Sequence, residues 1–239
     1  MLDASGRPRT LHRVDPALLR RHRACFAKSS WEGIGAGRRL GSLETDDYLD
    51  LPLRDLLDRI SSDGLAPGGG SAAALTVAFA ARLVAMVARC SPGWTDARGI
   101  AAQANAISDR ATTLARADGH AWDEALAALR DAESGDEGDP RRDFALEQKL
   151  ESAAAAPLEI AALGSDATAL AALAAEHGEA TYRGDVAAAA ALAAGGATAA
   201  AHLVRVNLGI RQADPRLARA YASEEAAKEA ALRLLSPDR

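Results

Sequence analysis

Aromatic residues are scarce in this 239-residue chain, which has three each of Trp, Tyr and Phe. Large rings therefore cannot build its core, and the core must come from small aliphatic side chains. Cysteine is almost missing. Cys25 and Cys90 stand far apart without partner spacing, which excludes a disulfide framework and a cysteine zinc site, so both read as inert thiols. Val and Ile are sparse and no run alternates at period two, which argues against a sheet. There is no excess of positive charge: the net charge is −5 and the pI is near 5.6, which argues against a nucleic-acid partner. The N-terminus is Arg-rich and lacks the apolar run of a signal peptide, so the cytoplasm is the expected location. The most apolar stretch, Ala72 to Ala88, carries Arg82 in its middle and reads as a buried helix, with no membrane partner implied.

What is present is alanine, which makes up much of the 49% hydrophobic content. Alanine is the strongest helix former, because it loses no rotamer entropy and hides no polar group. Its small side chain also lets helix axes approach closely. The expected fold is all-α, a single bundle of six or seven Ala-rich helices.

Residues 1–44 differ from the rest: nine Arg and Lys, from Arg7 to Arg39, outnumber the acids. They read as a basic N-terminal extension, with one short helix from about Asp15 to Ala27 and a capacity to recruit an anionic partner. Residues 45–239 read as one helical domain. Tyr48, Leu49, Leu53, Leu56, Leu57 and Ile60 recur at helical spacing, with Pro52 dividing an entry turn from the helix. A breaker segment, Ser61 to Gly70, precedes a helix from Ser71 to about Cys90. A further helix spans about Thr95 to Arg130 with a kink near Gly119, and Glu133 to Pro140 reads as an exposed connection. Helix resumes from Arg141 to Leu163 with a bend at Pro157. Ser165-Asp166 opens a shorter helix that stops at His177-Gly178. Two more follow, from about Gly184 to Arg211 and from Asp214-Pro215 to about Leu235.

Pro67-Gly68-Gly69-Gly70-Ser71 is the most informative local feature. Glycines admit positive φ and let a ligand approach without a Cβ in the way. Ser71 can cap the helix, and the free amides of a first turn attract negative charge or carbonyl oxygen. An ordinary turn with a cap needs only one glycine. The loop is not a phosphate-binding P-loop, since no Gly-Lys-Ser/Thr follows, nor a dinucleotide fingerprint, since no strand precedes it.

The stretch Leu53-Arg54-Asp55-Leu56-Leu57, followed by Leu65-Ala66-Pro67-Gly68-Gly69-Gly70-Ser71-Ala72-Ala73-Ala74-Leu75, resembles the opening of the formiminotetrahydrofolate cyclodeaminase / methenyltetrahydrofolate cyclohydrolase family. Met86-Val87-Ala88, Ala117-Asp118-Gly119-His120-Ala121-Trp122, Ala155-Ala156-Pro157-Leu158, Arg183-Gly184-Asp185 and Val206-Asn207-Leu208 continue the resemblance in order. It implies an all-α homodimer with a folate site near the glycine loop. The implied chemistry acts on one-carbon groups between N5 and N10 of tetrahydrofolate, by cyclodeamination or by cyclohydrolysis, with no metal and no separate cofactor. A folate-binding or assembly protein on the same scaffold is the alternative. Glu179, Gly184 and Leu203 depart from the family pattern, and Leu203 stands where an amide is usual.

Asp118 and Asp185 are the candidate catalytic groups, although Asp185 also suits a first-turn charge and Asp118 a solvated helix position. Pro67, Gly68, Gly69, Gly70, Ser71, Arg183, His202 and Asn207 are the candidate substrate-binding residues. His202 follows an alanine run and also suits a satisfied core position, while Asn207 suits either a ligand contact or a tie to a neighbouring helix.

Overall fold

A computed structural model describes residues 48–62, 67–134, 140–208 and 214–236. The basic extension and its helix at Asp15 to Ala27 lie outside these residues. Among the described residues there is no strand. Tyr48–Asp50 forms a 3₁₀ turn, and Pro52 is the N-cap of helix α1, Leu53–Ile60. Helix α2 is Gly69–Arg89 and α3 is Ala97–Ser134. Helix α4, Pro140–Ala153, and α5, Ala155–His177, follow. A 3₁₀ turn, Ala180–Tyr182, leads into α6, Arg183–Leu208, and α7, Pro215–Leu235, closes the bundle. This is the expected all-α bundle of Ala-rich helices.

Helix α2 lies at the centre because its surface is small and apolar almost all round. It packs against α3, α6 and α5, while α6 also packs against α5 and α7. Ala74, Val77, Ala81, Val84 and Ala85 of α2 meet Ala189, Ala193, Ala197 and Ala201 of α6 in a common core. Two glycines set how closely the axes approach. A Cβ on Gly196 would lie 2.6 Å from Val77 Cγ2, and one on Gly164 would lie 2.8 Å from Ala197 Cβ. Three stretches, within Gly69–Arg89, Phe144–His177 and Ala180–Leu208, are long and apolar enough to cross a membrane by length and composition. In this fold, 61% of the apolar window of α2 is buried against its neighbours. Arg82 binds Ser108 and Asn105 of α3, at 2.9 and 2.8 Å, from the rim of that interface.

Several boundaries depart from the sequence expectation for physical reasons. Helix α3 runs unbroken through Gly119. The break before α5 comes at Ala154 rather than as a bend at Pro157. Pro157 is the third residue of α5, a first-turn position whose N–H has no helical partner to lose. Ser165-Asp166 opens no new helix, because Gly164 lies inside α5, where it admits α6. The start of the last helix is as expected: Asp214 caps α7 by accepting from the Arg216 N–H at 2.9 Å.

Candidate functional site

The glycine loop turns directly into α2, and the cap is Gly68 rather than Ser71. Gly68 is the N-cap, with φ −110° and ψ −158°, and Gly69 and Gly70 are already helical. None of the described glycines has a positive φ. The need at Gly70 is close approach: a Cβ there would overlap the carboxyl carbon and both oxygens of Asp118 on α3. Gly69 faces open space. Ser71 is not the cap. It is fully buried, and its hydroxyl donates to the Ala115 carbonyl at 2.9 Å and accepts from the Tyr48 hydroxyl at 3.3 Å.

Asp118 is therefore held with its carboxyl against the first turn of α2, 8% exposed. Burial disfavours its charged form and pushes its pKa from 3.8 up to about 6, while the Ser71 N–H and the nearby Ser71 hydroxyl, both of which favour the anion, oppose the rise. Among the described residues, no charged neighbour contributes to the rise. Desolvation outweighs the attraction of the helix N-terminus, and the result is a carboxyl that exchanges its proton near neutral pH.

This carboxyl opens on a cavity of about 230 Å³. Gly68, Gly69 and Gly70 form one wall, and Asp118 and Trp122, one turn apart on α3, form the second. Ala153 and Pro157 supply the α4–α5 junction, and Leu203, Val206 and Asn207 line the α6 side. The Asn207 amide N–H donates to the Ala153 carbonyl at 3.0 Å, which pins the junction and leaves its Oδ1 as an acceptor. The volume is below the roughly 300–1,000 Å³ of pockets that enclose a drug-sized ligand.

The cavity thus brings together Gly68, Gly69, Gly70, Asp118 and Asn207. Pro67 and Ser71 flank the glycines as buried supports. Arg183, Asp185 and His202 are placed elsewhere. Arg183 and Asp185 begin α6 at the far end of α2, where Tyr182 hydrogen-bonds Cys90 and the Glu179 N–H donates to Ser91 Oγ at 2.9 Å. The 21 residues of α2 separate that end from the cavity by about 30 Å. Asp118 and Asp185 therefore do not share a site within one chain. His202 is exposed, with its Nδ1 at 3.1 Å from the Arg205 guanidinium. Arg205 in turn pairs with the buried Glu224 at 3.0 Å and lies over the Tyr221 ring, 5.0 Å from its centroid. Both α6 residues serve the α6–α7 contact. Among the described residues, no three His, Cys, Asp or Glu side chains converge as a metal site.

Trp122, Pro157 and Val206 were not singled out from the sequence as site residues. Their spacing carried a usable signal: Trp122 follows Asp118 by four positions, and Val206 and Asn207 follow Leu203 by three and four, so each set shares one helix face.

The profile of the formiminotransferase-cyclodeaminase family matches residues 52–228. The chain belongs to this family. Formimidoyltransferase-cyclodeaminases from Rattus norvegicus and Sus scrofa are 32% and 35% identical over 120 residues, 47% of this chain. The match covers only 22% of each of those relatives. The crystal structure of formiminotetrahydrofolate cyclodeaminase from Thermotoga maritima superposes with a TM-score of 0.66 at 21% identity, covering 79% of this chain and 98% of that one. The bundle is thus the fold of that protein. The family match takes in the glycine loop, Asp118 and Asn207, so the cavity lies within the segment that defines membership.

Proposed function

We propose that this chain is an enzyme acting on a one-carbon derivative of tetrahydrofolate, as a formiminotetrahydrofolate cyclodeaminase or a methenyltetrahydrofolate cyclohydrolase, with Asp118 as its catalytic group. The observation that carries the reading is one buried carboxyl, with a pKa near 6, at the wall of a largely apolar cavity. Such a group is both a competent base and a competent acid at neutral pH. Both reactions need that combination. In cyclohydrolysis, water adds to the cationic methenyl carbon and one of its protons passes to the carboxylate. The acid returns that proton to the nitrogen whose bond to carbon breaks, and the remaining hydroxyl proton is released to solvent as the formyl C=O forms. In cyclodeamination, N10 adds to the formimino carbon and gives up its proton, and the departing nitrogen takes one as its bond breaks and leaves as ammonia.

The walls support a flat heterocycle. Trp122, Pro157, Leu203 and Val206 offer apolar faces, Asn207 Oδ1 offers an acceptor, and the glycines leave the backbone of α2 open to close approach. The chain would use no metal and no separate cofactor, and would work in the cytoplasm as a homodimer. Helices α2 and α6 leave Phe79 and Leu192 57% and 39% exposed, which suits a second copy. A second reading, folate binding without turnover, is favoured by Leu203, which puts an apolar side chain into the cavity where the family pattern has an amide.

The test is titration of purified protein with 5,10-methenyl- and 5-formimino-tetrahydrofolate, followed through the methenyl absorbance. Decay of the methenyl form faster than in buffer supports the cyclohydrolase, and its appearance from the formimino substrate supports the cyclodeaminase. Either activity should vanish in Asp118→Asn. Binding with neither change supports the second reading, and no binding of any reduced folate refutes both.

A further inference from the structure

Ser71 stands next to the site without lining it, and its surroundings are unusual for a buried serine. Its hydroxyl has one proton to donate and two acceptors within reach. One is the Ala115 carbonyl at 2.9 Å. The other is the Asp118 carboxyl, which packs against Gly70, the residue before Ser71, and whose charged form the Ser71 N–H and hydroxyl both favour. Ala115 and Asp118 are one turn apart on α3, so both acceptors sit on the face that packs on α2. Across the hydroxyl oxygen, Tyr48 donates from the 3₁₀ turn that precedes the bundle, at 3.3 Å.

We propose that Ser71 is a positioning residue for Asp118, its hydroxyl turning from the Ala115 carbonyl to the Asp118 carboxylate as that acid loses its proton, with Tyr48 anchoring the hydroxyl oxygen. The anchor explains why a rotation about one bond suffices: the oxygen stays in place and only its proton changes partner. A carboxylate freshly formed in a buried site gains a second hydrogen bond as it appears, and releases it when it is reprotonated. The backbone N–H is fixed and cannot follow the change, whereas the hydroxyl can. Among the described residues, none that lines the cavity beside the carboxyl is charged. Helix α2 presents Gly70 and Ser71, the α4–α5 junction Ala153 and Pro157, and α6 Leu203, Val206 and Asn207, none of them charged.

This deepens the reading of Asp118 as the acid–base group, and depends on that reading only for its consequence in turnover. The test needs no substrate, so the two fail separately. Carbon NMR of protein labelled at aspartate follows the Asp118 carboxyl through a pH titration, with the resonance assigned by its loss in Asp118→Asn. Ser71→Ala should raise the midpoint by about one pH unit, the loss of one hydrogen bond to the ionised form. Tyr48→Phe, which keeps the ring and removes only the anchor, should raise it by a smaller amount. A purely structural serine would lower thermal stability and leave the midpoint where it is. An unchanged midpoint in Ser71→Ala overturns the proposal, and if that variant does not fold, an unchanged midpoint in Tyr48→Phe overturns it.

Discussion

Asp118→Asn separates the cost of the carboxyl from its use. In the folded chain its pKa stands at about 6 against an ordinary 3.8, so it holds its proton to higher pH than the unfolded chain does. The stability associated with the protonated form is fully present below about pH 4 and is lost as pH rises through about 6. At about 1.4 kcal/mol per unit, the loss across that window is roughly 3 kcal/mol. Asparagine does not titrate, so the stability of wild type minus that of the variant should fall by about 3 kcal/mol between about pH 4 and about pH 8. For a domain of this size that corresponds to a relative change in Tm of about 6–12 °C. Hydrogen bonds lost or gained by the amide shift both ends of the comparison equally, and distant carboxylates cancel in the difference. Urea denaturation of both proteins at a series of pH values measures it. A difference independent of pH would mean that Asp118 is not perturbed by burial. One that grows with pH would mean that its anion is stabilised, and would remove the acid–base argument.

Gly70→Ala drives a methyl group into the Asp118 carboxyl, so activity should fall at least a hundredfold, about 2.7 kcal/mol of transition-state stabilisation, while Gly99→Ala, on α3 away from the cavity and facing open space, should keep its activity; steady-state rates for the pair check this. Gly196→Ala should cost about 1–3 kcal/mol by overpacking Val77 and the Ala73 carbonyl. Gly195→Ala, one position along and unobstructed, should stabilise α6 by about 0.5–1 kcal/mol, and thermal melting should rank the two in opposite directions. Leu203→Asn returns an amide to the cavity and should tighten reduced-folate binding about tenfold, while Glu179→Asn, at the far end of α2, should leave it unchanged by calorimetry.

The split between what was legible and what was not follows from the range of the interactions. Helix content, the absence of strands, the entry turn at Pro52 and the Asp214-Pro215 start of α7 depend on residues a few positions apart, and the sequence displays them directly. The glycine run was likewise visible as a place of close approach. What approaches was not visible, because Gly70 and Asp118 are 48 positions apart and only the packing of α2 on α3 brings them together. The same packing turned Ser71 from an expected cap into a buried partner of Ala115. It also sent Asp185 and Arg183 to the opposite end of α2 from Asp118. Sequence alone determined that this chain is a bundle of close-packed alanine helices with a glycine-lined opening. Which carboxyl faces that opening, and how far burial moves its pKa, were decided by the tertiary structure, since desolvation depends on every helix that surrounds the group.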